Sequence, residues 1–92
     1  MYQILPYTFR QAKRYNLIVK PSTRKNKKID VYNKAGKYLS SAGHIDYLDY
    51  PYFKKYFGDE IAKEKRKQYK RRHEKDRTKK NTPGWFADKL LW

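Results

Sequence analysis

"LIVKPSTRKNKKIDVYNKAGKYLSS", residues 17–41, carries the strand and turn signals of a small sheet. Leu17–Lys20 is a compact β-branched run stopped by Pro21. In Ile29–Tyr32 the apolar Ile29 and Val31 alternate with Asp30 and Tyr32, the pattern of a strand with one buried face. The turn residues of "NKAGK", 33–37, bring the chain back, and "KYLSS", 37–41, predicts a third strand. A small three-stranded antiparallel sheet is the simplest product. The Lys-rich "PSTRKNKK", residues 21–28, then becomes an exposed basic hairpin loop between the first two strands.

On the N-terminal side, "YTFRQAKRYN" (7–16) places Thr8 as an N-cap with Gln11 three residues on, a capping-box pattern. A short helix over Phe9–Tyr15 follows, ended by Asn16. Toward the C-terminus, "DYPYFKKYFGDE" (49–60) offers Pro51 for a first helical turn, Gly58 for a C′ position and Asp59 for the next N-cap. Asp59 and Glu60 also complement a helix macrodipole. A basic helix is expected over 59–80, and its stretch Ile61–Thr78 spans roughly 27 Å. Its apolar strip is thin, with Ile61, Ala62 and Tyr69 joined by Lys65, Arg72 and His73, so it should dock by its N-terminal end. "NTPGWFADKLLW" (81–92) closes the chain, with Thr82 as a cap and Trp85, Phe86, Leu90 and Leu91 as an apolar cluster that folds back. The expected class is α+β: a short helix, the sheet, a long basic helix and a C-terminal aromatic helix. One small basic domain spans 1–92, with its anchor at 82–92.

Composition narrows the function classes. At 92 residues only about two thirds of the unfolded chain's surface can be buried, so the core is small. Ten Tyr and two Trp must supply much of the burial. There is no cysteine, which removes disulfides, Cys-containing zinc sites and a thiol nucleophile. No apolar run nears the roughly 20 residues of a membrane span, and the N-terminus lacks a signal-peptide pattern. The chain reads as soluble and not secreted, with no membrane partner.

The net charge is +15, unevenly placed: residues 63–81 sum to +8, while 44–62 sum to −2. Such charge disfavours compaction unless a polyanion relieves it. Drift toward a Lys-, Tyr- and Asn-rich composition is the bland account, but it does not explain seven Arg or their clustering. In the helix, local pairs involving Glu64, Glu74 and Asp76 contribute only a few tenths of a kcal/mol each and cannot neutralise the excess. Lys63, Arg66, Lys67, Lys70, Arg71, Arg72 and Lys75 are therefore candidate phosphate contacts, together with Arg24, Lys25, Lys27 and Lys28 of the loop. A solvated helix face, an acidic protein partner and a merely soluble loop are the competing readings. Phosphate contacts carry no base information, and no helix-turn-helix, zinc-finger or aromatic RNA-binding signature is present.

Catalysis has thinner support. His44, Asp46 and Asp49 lie close in sequence and are the residue types of a metal-dependent nuclease, but their spacing matches no ligand pattern, and Asp49 has a capping role available. No cofactor, metal or small-molecule substrate is expected. Tyr47, Tyr50, Tyr52, Phe53, Tyr56 and Phe57 could stack unpaired bases, although their spacing suits better a core on which the sheet packs.

Taken together, "VKPSTRKNKKIDVY", the pattern of "AGHIDYLDY", "YKRRHEKDR" and the terminal "PGWFADKLLW" resemble small basic proteins of unassigned function from large double-stranded DNA viruses and tailed phages. The likeness spans roughly Leu17 to Trp92. It implies a viral product and a candidate for packaging in the particle, located in the virion or the infected-cell interior. No activity, cofactor or catalytic residue carries over. The leading expectation is a non-enzymatic nucleic-acid-binding protein that contacts the phosphates of double-stranded DNA. The alternatives are a virion structural or assembly protein meeting acidic capsid surfaces, and a small metal-dependent nuclease.

Overall fold

The computed structural model describes residues 1–92. Strands β1 (Leu17–Pro21), β2 (Lys27–Asn33) and β3 (Tyr38–His44) form an antiparallel sheet in the order β1-β2-β3. Helices α1 (Pro6–Arg14), α2 (Tyr50–Phe57), α3 (Asp59–Arg72), α4 (Glu74–Arg77) and α5 (Pro83–Leu91) complete an α+β fold.

Register explains the core. Val19 lies opposite Val31 and Ile29 opposite Ala42, and since alternate residues share a face, these small and branched side chains make one apolar surface. An apolar sheet face must be covered. Helices α1 and α5 cover it, burying Ile29, Val31, Ala42 and Val19 against Ile4, Ala12, Phe86, Leu90 and Leu91. Burying Phe86, Leu90 and Leu91 contributes on the order of 5–9 kcal/mol before chain entropy is counted, as large as the usual net stability of a domain this size. The C-terminal helix is therefore the lid of the core, as its apolar cluster predicts. Thr82 caps it by accepting from the Trp85 N–H at 3.3 Å.

Several local expectations are corrected. Helix α1 starts at Pro6 with Leu5 before it, so Thr8 is no cap. Its buried Oγ1 instead donates to the Leu90 carbonyl at 2.8 Å, and Gln11 Nε2 donates to that of Lys89 at 3.0 Å. These side chains satisfy carbonyls that the end of α5 leaves without helical partners, so the capping-box signature here stitches two helices. Asn16, at φ +58°, does end the turn after α1. The hairpin loop is shorter than 21–28, because Pro21 still pairs with Ile29 and Lys27 and Lys28 open β2. Asp59 begins α3 without making a side-chain cap.

The basic helix does not run to residue 80. It ends at Arg72, His73 turns the chain, and the single turn of α4 follows. Past Tyr69 the helix has no further apolar side chain to bury, whereas turning back lets α5 reach the sheet. Arg77 secures the turn through Nε to the Lys70 carbonyl at 3.1 Å. Nor do the aromatics of 47–57 form the sheet's core. Tyr50 is buried, but Tyr47, Tyr56 and Phe57 are exposed, because α1 and α5 already cover the small apolar face and α2 packs mainly on α3.

Candidate nucleic-acid interface

Two buried carboxylates sort the cations. Asp49, the N-cap of α2, is wholly buried and accepts from Lys28 Nζ at 2.9 Å, Tyr2 Oη at 2.6 Å and the Tyr52 N–H at 3.3 Å. The Lys28 side chain is itself only 5% exposed. Its expected role as a phosphate contact is thus corrected: a buried charge must be paired, and β2 aims this ammonium inward. Burial, then the neighbouring Asp49 charge, pushes the Tyr2 hydroxyl far above its ordinary pKa, so it stays a donor.

Asp88 on α5 plays the matching part. Its buried carboxylate meets Lys70 at 2.7 Å, Lys89 at 3.4 Å and Arg77 at 3.9 Å, binding α3 and α4 to α5. Lys70 is therefore also spent internally, as is Arg66. The Arg66 guanidinium lies 3.5 Å from the Tyr50 ring centroid and donates to the Trp92 carbonyl at 2.8 Å and to Tyr7 Oη at 3.2 Å. These corrections share one cause. At 3.6 residues per turn, Ala62, Arg66, Tyr69 and Lys70 fall on the face of α3 that meets the body.

The other candidates remain outside. Lys63, Lys67 and Arg71 recur every four residues and form an exposed stripe with about 6 Å between successive positions. No carboxylate lies within ion-pair distance of them, and Lys75, beyond the turn, is equally free, as are Lys25 and Lys27. Docking thus divides the basic residues of α3: Arg66 and Lys70 turn to the body, while Lys63, Lys67 and Arg71 face solvent. Arg24 is exposed but leans on the Tyr38 ring, 4.6 Å from its centroid, and lies 3.8 Å from Asp30.

Arg72 and Lys27 belong to a second feature, an open groove of about 1010 Å³ between the C-terminal half of α3, the α4–α5 turn and the β3–α2 loop. Lys65 and Lys79 also line it, with Tyr47, Tyr69, His73 and Trp92. Tyr69 is stacked between His73 at 4.4 Å and Trp92 at 4.2 Å. Burial, with the Asp88 and Asp76 charges behind it, pushes the Tyr69 hydroxyl up to about 12. This groove was missed as a site from the sequence: its residues are scattered over 27–92, and only the unpaired Lys65 and Lys79 and the aromatic spacing gave a signal.

His44, Asp46 and Asp49 do not converge. Asp46 is exposed, 3.7 Å from His44, while Asp49 is held inside by Lys28 and Tyr2. No group of three His, Asp or Glu side chains is arranged to hold a metal, and no helix is long and apolar enough to cross a membrane. No protein-family model, curated protein or solved structure matches the chain.

Proposed function

We propose that this protein binds nucleic acid without catalysis, through the phosphate backbone, with double-stranded DNA as its partner and a packaged viral genome as the setting that its sequence resemblance implies. The observation that carries the reading is the row Lys63, Lys67 and Arg71, exposed and unpaired after the buried carboxylates have taken Lys28 and Lys70. Lys25, Lys27 and Lys75 extend the same sign of charge beyond it. Cations held apart from carboxylates are free to displace condensed counterions from a polyanion.

A salt titration tests this. If five to seven phosphates are engaged, the logarithm of affinity for duplex falls against log salt with a slope of about −5 to −6. Changing Lys63, Lys67 and Arg71 together to Gln should flatten the slope by about 3. A slope near zero rejects the proposal.

A second reading, an assembly protein that meets acidic capsid surfaces, is favoured by Tyr56, Phe57 and Ile61, exposed apolar side chains around the junction between α2 and α3. Its discriminator is a pull-down from infected cells after nuclease treatment, in which the partner protein stays bound.

A further inference from the structure

We propose that the groove beside α3 takes unpaired nucleobases with their flanking phosphates, a second site for single-stranded nucleic acid distinct from the row Lys63, Lys67 and Arg71 that meets duplex phosphates. The inference rests on the nucleic-acid reading above and deepens it by naming the form of strand the groove admits.

Charge selects the class of guest. An open aromatic-lined space can hold a cation over its rings, but here Lys27, Lys65, Arg72 and Lys79 border the space and Asp76 is the one carboxylate on its lining. That lone carboxylate lies 3.9 Å from His73 Nδ1. An anionic guest with flat apolar faces fits both properties at once. Lys28, also on the lining, is cancelled by Asp49 and adds no net charge.

Ring placement selects single strand over duplex. Tyr69 is covered on both faces by His73 and Trp92 and serves as a rigid backing. Tyr47, 71% exposed, offers the most free ring surface, with the His44 and His73 imidazoles beside the same space. Tyr47 stands edge-on to His44 at 5.5 Å, which keeps it upright without covering it. A base within a duplex is already stacked on its neighbours and has no face to offer, whereas an unpaired base can lie against these rings while its phosphates reach Lys65, Arg72 or Lys79. The volume, about 1010 Å³, stands at the upper end of the roughly 300–1,000 Å³ common for small-molecule sites, and its open form suits a strand passing through.

Fluorescence anisotropy with a labelled short oligothymidylate and a duplex of equal length, at one ionic strength, tests the proposal. The single strand should bind more tightly. Tyr47→Ala should weaken it by about 5- to 150-fold, the range typical of one stacked base, leaving the salt slope and the duplex affinity unchanged, and Tyr47→Phe should retain full binding. Because Tyr47 is exposed, its unfolding midpoint serves as a control that the variant folds. Equal binding of both forms, or a Tyr47→Ala loss shared by both, overturns the inference. A steep salt slope in that case leaves the phosphate-binding proposal standing, while the absence of salt-dependent binding to either form removes both.

Discussion

Replacing Lys28 by Met separates an architectural ammonium from a phosphate-binding one. The substitution keeps most of the side-chain volume, so little cavity opens, but it strips the fully buried Asp49 carboxylate of its countercharge and leaves only the Tyr2 hydroxyl and the Tyr52 amide. Removing one member of a buried pair typically costs about 3–5 kcal/mol. A chain of this length has roughly 5–14 kcal/mol of net stability, so the loss is a large share of the whole. At about 4–8 °C per kcal/mol, the melting temperature should fall by at least about 12 °C. Urea denaturation followed by Trp fluorescence gives the same quantity at constant temperature. Adding Asp49→Asn to Lys28→Met should recover about 2 kcal/mol or more, because the stranded charge disappears while a capping oxygen remains. If Lys28→Met costs under about 1 kcal/mol and yet weakens oligonucleotide binding tenfold, the ammonium is working outside and the account of Asp49 is wrong.

Other consequences are equally direct. Asp88→Asn should cost about 2–3 kcal/mol, between the values for exposed and buried pairs, since Lys70, Arg77 and Lys89 lose their common anion; an unchanged melting curve would contradict this. Tyr69 keeps its proton to about 12 when folded but releases it near 10.0 when unfolded. Its contribution is therefore complete below about pH 10 and lost as pH climbs to about 12, and Tyr69→Phe should flatten that alkaline limb in denaturation midpoints taken across the range. Gly43 and Gly36 both have positive φ, +79° and +88°, but a Cβ at Gly43 would sit 2.7 Å from Leu91 Cδ1 and 2.9 Å from Lys28 Cδ, while one at Gly36 meets nothing within 4 Å. Gly36→Ala should cost about 1–2 kcal/mol of backbone strain, and Gly43→Ala about 1–3 kcal/mol more for the forced shift; equal unfolding midpoints would show that Leu91 and Lys28 yield freely.

The sheet was legible because its signal is local: alternation in Ile29–Tyr32, a proline stop and a glycine turn lie within a few residues of one another. So were Thr82 and the apolar residues of α5. The partners of the polar residues were not. Thr8 and Gln11 have the spacing of a helix start, yet their acceptors lie at Leu90 and Lys89, and no local rule reaches across some eighty positions. The same limit misassigned Lys28, Arg66 and Lys70. Charge patterning counts cations along a helix but cannot tell which face will dock, and Asp49, Tyr50, Asp88 and the Trp92 carbonyl decide that only in three dimensions. Lys63, Lys67 and Arg71 remain exposed and unpaired because nothing stands opposite them.

The tie at Asp49 joins an N-terminal tyrosine, the second strand and the cap of the second helix through a single carboxylate. Any intermediate in which one of these segments has arrived without the others holds an ion in a dry place with too few donors. Opening is penalised in the same way: fraying of the first residues exposes the pair to solvent and loosens strand and helix together. Hydrogen exchange at the amides of β2 and at the start of α2 should then proceed by a shared event, slowed together by one buried carboxylate.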